Sequence, residues 1–180
     1  MRMRSLGIAL SKLERKKNLD PLLEQYITSG ELASRWLYDI MAFGDISVGC
    51  KIVDLGAGNG NLGIGASLLG AGFVTFIEAD KEMCEVASKN AKTTLQDGTY
   101  DIVNIEIGKE NPVLNEIDLV ISNPPWGRQK EGADSHFLDL ISSLGVTAHL
   151  MHSAEATHIQ KRFEGMGWKV EMYGEADFPI

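Results

Sequence analysis

Residues 51–63 of this 180-residue sequence read KIVDLGAGNGNLG, and this segment decides the fold. Its first five residues, 51–55, form the short apolar run that is typical of a buried strand. A glycine-rich turn follows, and a helical segment begins at Leu62. A turn between a strand and a helix needs residues that tolerate positive φ, which glycine adopts without a steric penalty. The first N–H groups of the helix then remain open to a small charged ligand.

Strands and helices alternate through the rest of the chain. The pattern predicts strands at 51–55, 74–77, 101–107, 118–122, 146–151 and 168–173. It predicts helices at 6–24, 31–43, 62–69, 81–95, 135–143 and 154–166. Strands alternating with helices imply an α/β, doubly wound fold with a mainly parallel sheet and helices on both faces. We expect one domain, residues 1–180, in which residues 1–45 form an N-terminal helical cap.

Composition excludes several classes of protein. Hydrophobic residues make up 44% of the chain and charged residues 23%, which is ordinary for a globular protein. No apolar stretch reaches the length of a membrane-spanning helix, so we expect no membrane partner. Cys50 and Cys84 match no zinc or redox spacing, which favours reduced thiols in a cytoplasmic protein. We expect no metal site, because His149 and His152 would point to opposite faces of a strand.

The charge distribution leaves two interpretations open. The net charge is −8, although nucleic-acid binding usually requires a basic surface. The first 17 residues instead carry +5, since Glu14 alone opposes the basic residues Arg2, Arg4, Lys12, Arg15, Lys16 and Lys17. This segment is either a solvated helix or an arm that contacts RNA.

Acidic residues lie at or next to the carboxyl ends of three predicted strands. Asp54 precedes the glycines, where its carboxylate could hold the ammonium group of S-adenosylmethionine directly or through water. Glu78 ends the next strand, where an acid can accept hydrogen bonds from ribose hydroxyls. Glu106 could accept a hydrogen bond from the amino group of the cofactor's adenine. Asp80 is expected to cap the following helix. Because residues 58–63 also fit the GxGxxG pattern, an NAD-dependent oxidoreductase remains an alternative.

The second informative motif is Asn123-Pro124-Pro125-Trp126, directly after a predicted strand. Two prolines fix the direction of the Asn123 side chain and of the local carbonyl groups. The Asn123 side-chain oxygen and the Pro124 carbonyl could each accept one hydrogen of an exocyclic amine. Trp126 offers an aromatic face for a base that has left its stack. The motif therefore predicts methyl transfer to a nitrogen, driven mainly by positioning.

These two motifs resemble those of the amino-group methyltransferases with an Asp/Asn-Pro-Pro-aromatic signature. The sequence is most similar to the methyltransferase-like family that methylates adenine N6 in small-subunit ribosomal RNA, including its archaeal relatives. Four segments carry the resemblance: Glu24-Gln25-Tyr26-x-Thr28, Leu68-Leu69-Gly70-Ala71-Gly72, Asn123-Pro124-Pro125-Trp126-Gly127 and Gly132-x-Asp134-x-x-Phe137. The resemblance implies a Rossmann-like methyltransferase fold.

The resemblance also implies a site. Gln25, Tyr26 and Thr28 would close over S-adenosylmethionine, which leaves as S-adenosylhomocysteine, with Thr28 near the cofactor's carboxylate. Thr28 is independently predicted to cap the helix at 31–43. The whole set of predicted cofactor-binding residues is Gln25, Tyr26, Thr28, Asp54, Gly56, Gly58, Gly60, Asn61, Leu62, Glu78, Ala79, Glu106 and Asn123.

The expected partner is an RNA substrate, most specifically ribosomal RNA, and no DNA is expected. A small zinc-binding activator subunit is implied by the resemblance to eukaryotic members. Two features depart from the family. Trp126 stands where the family usually has Phe, and the family's basic stretch and last antiparallel strand are expected to be absent. Guanine N2 in RNA, a protein glutamine amide and a non-catalytic cofactor-binding scaffold remain alternatives.

Overall fold

The computed structural model describes residues 1–17, 26–110, 112–127 and 132–178. Within them lie five strands, which follow one another along the chain as β1 (Lys51–Leu55), β2 (Phe73–Glu78), β3 (Tyr100–Asn104), β4 (Leu119–Ser122) and β5 (Thr147–Leu150). They form one sheet in the order β3-β2-β1-β4-β5, and all four pairings are parallel. The strand order reverses between β1 and β4, so this fold provides a binding crevice beyond their carboxyl ends.

Helices cover both faces of the sheet. The described helices are α1 (Met3–Ser11), α2 (Gly30–Phe43), α3 (Asn61–Leu69), α4 (Lys81–Thr94), α5 (Ser135–Leu144) and α6 (Thr157–Gly165). Helices α1 and α2 cross closely at Gly30, where a Cβ would stand 2.6 Å from the carbonyl oxygen of Gly7. The predicted α/β fold is therefore confirmed.

Strand residues alternate between two hydrophobic layers. Ile52, Leu119 and Ile121 pack with residues of α1, α2 and α3. Val53 and Val120 lie on the opposite face and pack with residues of α5 and α6. Because strand side chains alternate with period two, Asp54 shares the face of Ile52 and is carried into the first layer. Sheet geometry thus buries this carboxylate.

Helix ends agree only partly with the sequence predictions. Asp80 caps α4 as predicted, since its carboxylate accepts hydrogen bonds from the N–H groups of Glu82 and Met83. The predicted Thr28 cap is wrong, because Ser29 occupies the cap position of α2 and accepts from the N–H of Leu32. Thr28 lies one residue earlier, which frees its hydroxyl for another contact. The long helix predicted at 6–24 is observed as α1 alone, and residues 18–25 lie outside the described part.

The strand predicted at 168–173 is also wrong. Residues 168–173 form no ladder with the sheet. Side chains hold this segment instead: the Tyr173 hydroxyl meets His149 Nδ1 at 2.9 Å and accepts from Trp36 Nε1 at 2.7 Å. Its apolar spacing reflects rings that dock on the body, and such rings require no strand pairing. Among the described residues, no helix is long and apolar enough to cross a bilayer.

Candidate active site

A cavity of about 240 Å³ opens at the carboxyl ends of β1, β2 and β4. Backbone and side chains from the glycine-rich turn, the end of β2, the segment before α2 and the start of α5 form its walls. The lining residues are Tyr26, Ile27, Thr28, Gly56, Ala57, Gly58, Asn59, Asn61, Leu62, Ile77, Glu78, Ala79, Met83, Ile105, Glu106, Ile107, Asn123, Pro125, Gly132, Ala133, His136 and Phe137.

The turn between β1 and α3 requires glycine. Gly56, Gly58 and Gly60 all have positive φ, at 70°, 56° and 84°. Apart from Gly58 and its two chain neighbours, no atom of the described residues lies within 4 Å of the position that a Cβ would take at Gly58. At Gly56 a Cβ would stand 3.1 Å from the ring of Phe137. The turn therefore combines a backbone that side chains disfavour with an open approach to the cavity.

Glu78 connects the turn to the end of β2. One carboxylate oxygen accepts from the N–H of Gly58 at 2.8 Å, and the other accepts from the N–H of Asp80 at 2.9 Å. Burial raises the pKa of Glu78, and these N–H groups act against that rise. The carboxylate also lines the cavity, so it is positioned before any ligand binds.

Asp54 lies beneath the turn, fully buried, and does not line the cavity. Its Oδ2 accepts from the N–H of Gly63 at 2.8 Å. Its Oδ1 has no hydrogen-bond partner among the described residues. Burial raises the pKa of Asp54 to about 7; the Gly63 N–H lowers it and the charge of Glu78 raises it further. One buried carboxylate oxygen is thus left to be satisfied.

Thr28 joins the two halves of the site. Its carbonyl oxygen accepts from Asn61 Nδ2 at 2.6 Å, beside the glycine-rich turn. Its hydroxyl accepts from Asn123 Nδ2 at 3.2 Å, across the cavity. Thr28 is almost completely buried. The segment before α2 therefore fixes the orientation of the Asn123 amide.

The Asn123–Trp126 motif follows β4 directly. Trp126 Nε1 donates to Asn123 Oδ1 at 3.1 Å, so the motif closes on itself. Asn123 and Pro125 line the cavity, whereas Pro124 and Trp126 do not. The indole packs against His152, with ring centroids 5.9 Å apart, and against Phe178, at 5.0 Å. Trp126 therefore stands beside the cavity, within an aromatic cluster.

A buried carboxylate supports that cluster from behind. Asp134 Oδ2 lies 2.7 Å from Nε2 of His158 and 3.3 Å from Nε2 of His152. The three ligand atoms of Asp134, His152 and His158 all lie within 4.8 Å of one another. The sequence prediction concerns only His149 and His152 as a metal pair and does not include His158. The structure separates that pair, since His149 bonds Asp45 and Tyr173.

Most of the predicted site residues meet around one cavity. Those that line it are Tyr26, Thr28, Gly56, Gly58, Asn61, Leu62, Glu78, Ala79, Glu106, Asn123 and Pro125. Asp54, Gly60, Pro124 and Trp126 lie next to it, and Gln25 is outside the described residues. Sequence reasoning missed Met83, His136 and the role of Phe137. The recurring Gly132-x-Asp134-x-x-Phe137 segment was the available signal for this third wall.

Comparisons with known proteins identify the family. The model of the methyltransferase small domain matches residues 32–164. The chain is 35% identical to the protein MJ0284 of Methanocaldococcus jannaschii, over 100% of this chain and 84% of that one. It is 30% identical to the rRNA N(6)-adenosine-methyltransferase METTL5 of Danio rerio, over 96% of this chain and 84% of the relative. The crystal structure of PH1948 from Pyrococcus horikoshii superposes with a TM-score of 0.78, at 35% identity, covering 92% of this chain and 79% of that one.

The chain therefore belongs to the methyltransferase small domain family, and it is an S-adenosylmethionine-dependent methyltransferase. The resemblance found in the sequence is confirmed, and the NAD-dependent oxidoreductase is not its class. The residues present suit this cofactor. Glu78 offers a fixed carboxylate, Gly58 offers an open backbone, and Asp54 has an unsatisfied oxygen that could accept a hydrogen bond from an ammonium group or a water molecule.

Proposed function

We propose that this protein transfers a methyl group from S-adenosylmethionine to N6 of an adenine in ribosomal RNA. The observation that carries the proposal is the orientation of Asn123. Its amide is held by Thr28 on one side and by Trp126 on the other, at the wall of the cavity that Glu78 and the glycine-rich turn form. The similarity to rRNA N(6)-adenosine-methyltransferases of Danio rerio and Drosophila melanogaster supports this choice of acceptor.

The glycine-side wall would hold the cofactor. Glu78 would accept hydrogen bonds from the ribose hydroxyls of the cofactor, and Glu106 would accept one from the amino group of the cofactor's adenine. Asp54 would bind the cofactor's ammonium group directly or through water. Tyr26 and Thr28 close the cavity, and Gln25 is proposed to join them. The bound cofactor supplies an electrophilic methyl group on its sulfonium centre. The chain's own task on this side is to orient that group toward Asn123 and to exclude water.

The acceptor-side wall would hold the base. The side-chain oxygen Oδ1 of Asn123 has two lone pairs and receives one hydrogen bond from Trp126, so it can accept a second one from the amine of the substrate adenine. The Pro124 carbonyl would accept the other amine hydrogen. Trp126 would stack on the base, a contact worth roughly 1–3 kcal/mol. The ring of Phe178 packs against this indole, so the base would take the place of that ring.

The N-terminal residues are proposed to act as a cap, residues 1–45, within one domain of residues 1–180. Two contacts support this role: Asn59 donates to the carbonyl of Glu14 at 3.0 Å, and Lys16 pairs with Asp80. The remaining basic residues of the segment would face RNA phosphates. A small zinc-binding activator subunit, cytoplasmic location and the absence of DNA binding belong to the same proposal.

Two measurements test the proposal in sequence. Calorimetric titration of S-adenosylmethionine and of NAD into wild type, Asp54→Ala and Glu78→Ala tests the cofactor wall. We expect micromolar S-adenosylmethionine binding that both variants weaken, and no NAD binding. Incubation with methyl-labelled cofactor, ribosomal RNA and ribosomal protein then tests the acceptor. Label in RNA supports the proposal, whereas label in protein alone would replace it with the glutamine alternative.

A further inference from the structure

Trp126 is in contact with a histidine that is itself tightly held. His152 follows β5, and its side chain is only 7% exposed. Its ring stacks on the indole of Trp126 at an angle of 25°, with centroids 5.9 Å apart. Its Nδ1 accepts from the N–H of Ser153 at 2.9 Å. The ring of His152 is therefore fixed in its plane by a backbone contact.

Asp134 lies in the position where an aspartate usually caps a helix. It precedes α5, yet its side chain makes no capping hydrogen bond. The carboxylate turns instead toward the two imidazoles, with Oδ2 at 3.3 Å from His152 and 2.7 Å from His158. A buried carboxylate is costly without partners, so these contacts account for its burial. The Asp134 side chain therefore contacts residues from other elements and does not cap its own helix.

The hydrogen bond at Nδ1 argues against a role of His152 as a base or a metal ligand. A neutral imidazole has one N–H, and Nδ1 is already an acceptor. The proton of the neutral ring therefore resides on Nε2, the nitrogen that lies 3.3 Å from Asp134 Oδ2. With Nδ1 bonded and Nε2 protonated, neither nitrogen is available as a base toward the cavity. The same tautomer disfavours a two-histidine, one-carboxylate metal site, because a metal would need the Nε2 lone pair.

We infer that His152 and Asp134 are positioning residues for methyl transfer. Asp134 orients His152, His152 fixes the plane of Trp126, and Trp126 donates its N–H to Asn123. The expected effect on kcat rests on the proposed function. The contact between the rings of His152 and Trp126 is independent of that function. Neither His152 nor Asp134 lines the cofactor cavity. Their loss should therefore lower kcat while leaving S-adenosylmethionine binding unchanged.

The contact is tested first without substrate, by ¹⁹F NMR of protein that contains 5-fluorotryptophan. The chain has three tryptophans, so Trp126→Phe assigns one of three resonances. His152→Ala should shift and broaden the Trp126 resonance. His149→Ala is the matched control: His149 is another buried histidine bonded to a carboxylate, Asp45, but its ring contacts are with Phe43 and Tyr173. The control should leave the Trp126 resonance in place.

The kinetic test compares His152→Ala, His152→Phe and Asp134→Asn with His149→Ala. We expect kcat to fall roughly 10- to 100-fold in His152→Ala, because a displacement of about 1 Å can cost 10²-fold. His152→Phe keeps a ring against Trp126 and should recover part of the rate. It also serves where His152→Ala does not fold. The dissociation constant of S-adenosylmethionine should match wild type in all of them.

Failures of the two proposals are distinguishable. An unchanged Trp126 resonance in His152→Ala overturns the inference, whatever the RNA results are. A shifted resonance with a wild-type kcat overturns the positioning role. Where wild type methylates no RNA, the proposed function fails and the Trp126 resonance alone decides whether His152 fixes the indole.

Discussion

Two carboxylates, Asp54 and Asp134, are buried in this protein with opposite outcomes. Both are at most 4% exposed, and each lies within a short distance of the site. Asp134 Oδ2 is hydrogen-bonded to Nε2 of His158 at 2.7 Å and lies 3.3 Å from Nε2 of His152, so its carboxylate is in contact with two imidazoles. Asp54 accepts from one backbone N–H, and its other oxygen has no partner among the described residues. The carboxylate on the cofactor side therefore keeps one oxygen without a partner among the described residues, whereas the carboxylate behind the acceptor side is already in contact with two side chains.

This difference indicates how the two walls divide the work. An unsatisfied buried carboxylate reduces the stability of the free protein and favours a cationic or hydrogen-bond-donating ligand. A satisfied carboxylate instead fixes the groups around it. The glycine side should thus control affinity for the cofactor, and the Asn123 side should control the rate of transfer.

The largest effect is on the pH dependence of stability. Burial raises the pKa of Asp54 to about 7, whereas in the unfolded chain this carboxyl titrates near pH 4. Between these two pH values the folded protein therefore holds a proton on Asp54 that the unfolded chain has released. Its stabilising protonation is complete below pH 4 and is lost as pH rises through 7. The loss reaches about 4 kcal/mol at most, at roughly 1.4 kcal/mol per pKa unit. In urea unfolding of wild type without cofactor, the free energy of unfolding should fall as the pH is raised from 5 to 8.

Asp54→Asn is the control for that measurement. It removes the titrating group, so the ratio of folded to unfolded protein should depend less on pH than in wild type. Equal slopes for the two proteins would show that burial does not hold the pKa of Asp54 high.

Replacing Asn123 should nearly abolish transfer. Asn123→Ala removes the amide that orients the acceptor amine, and we expect kcat to fall roughly 100-fold or more, because the loss of positioning has this cost. S-adenosylmethionine affinity should change little. A single-turnover assay and calorimetry on the same preparation check both. If the dissociation constant of S-adenosylmethionine rises by the same factor as kcat falls, Asn123 acts on cofactor binding as well as on transfer, and the two walls do not have separate roles.

Glu78→Gln should act on the other side alone. The substitution removes the charge from hydrogen bonds to the N–H groups of Gly58 and Asp80. Since hydrogen bonds to charged groups contribute about 1.5–3 kcal/mol, S-adenosylmethionine affinity should fall roughly 10- to 100-fold. Glu106→Gln is the matched control: Glu106 lines the same cavity but is half exposed and pairs with Lys109, so its effect should be smaller. Equal losses would contradict the special position of Glu78.

Thr28→Val gives the smallest expected change. It keeps the shape of the side chain and removes one acceptor of the Asn123 amide, worth about 0.5–1.5 kcal/mol. We expect kcat to fall about 3- to 10-fold. A change in S-adenosylmethionine affinity in its place would assign Thr28 to the cofactor's carboxylate, as the sequence resemblance implies.

The glycine side was predictable from the sequence because its signals are local. A strand, three glycines at alternate positions and an acid at the end of the next strand describe the turn, Glu78 and the cap at Asp80. The role of Thr28 was predicted less well, since a shift of one residue moved the cap to Ser29 and turned the Thr28 hydroxyl toward Asn123. Chain-local rules cannot resolve such a shift.

The support behind Trp126 was not predictable in this way. Asp134, His152 and His158 come from three separate segments, and each has an ordinary local interpretation: a helix cap, a strand end and a helix surface. Only the packing of α5, β5 and α6 brings their polar atoms within 4.8 Å. The apolar spacing of residues 168–173 likewise predicted a strand, because the sequence does not show that Tyr173 is held by side-chain contacts with distant residues.

The identity of the modified nucleoside shows whether Asn123 directs methyl transfer to N6 of adenine. Purified wild type and Asn123→Ala would be incubated with unmodified ribosomal RNA and methyl-deuterated S-adenosylmethionine, and the RNA digested for mass spectrometry. The account predicts deuterated N6-methyladenosine with wild type and almost none with the variant. Deuterated N2-methylguanosine, or the same yield of N6-methyladenosine from both proteins, would contradict it.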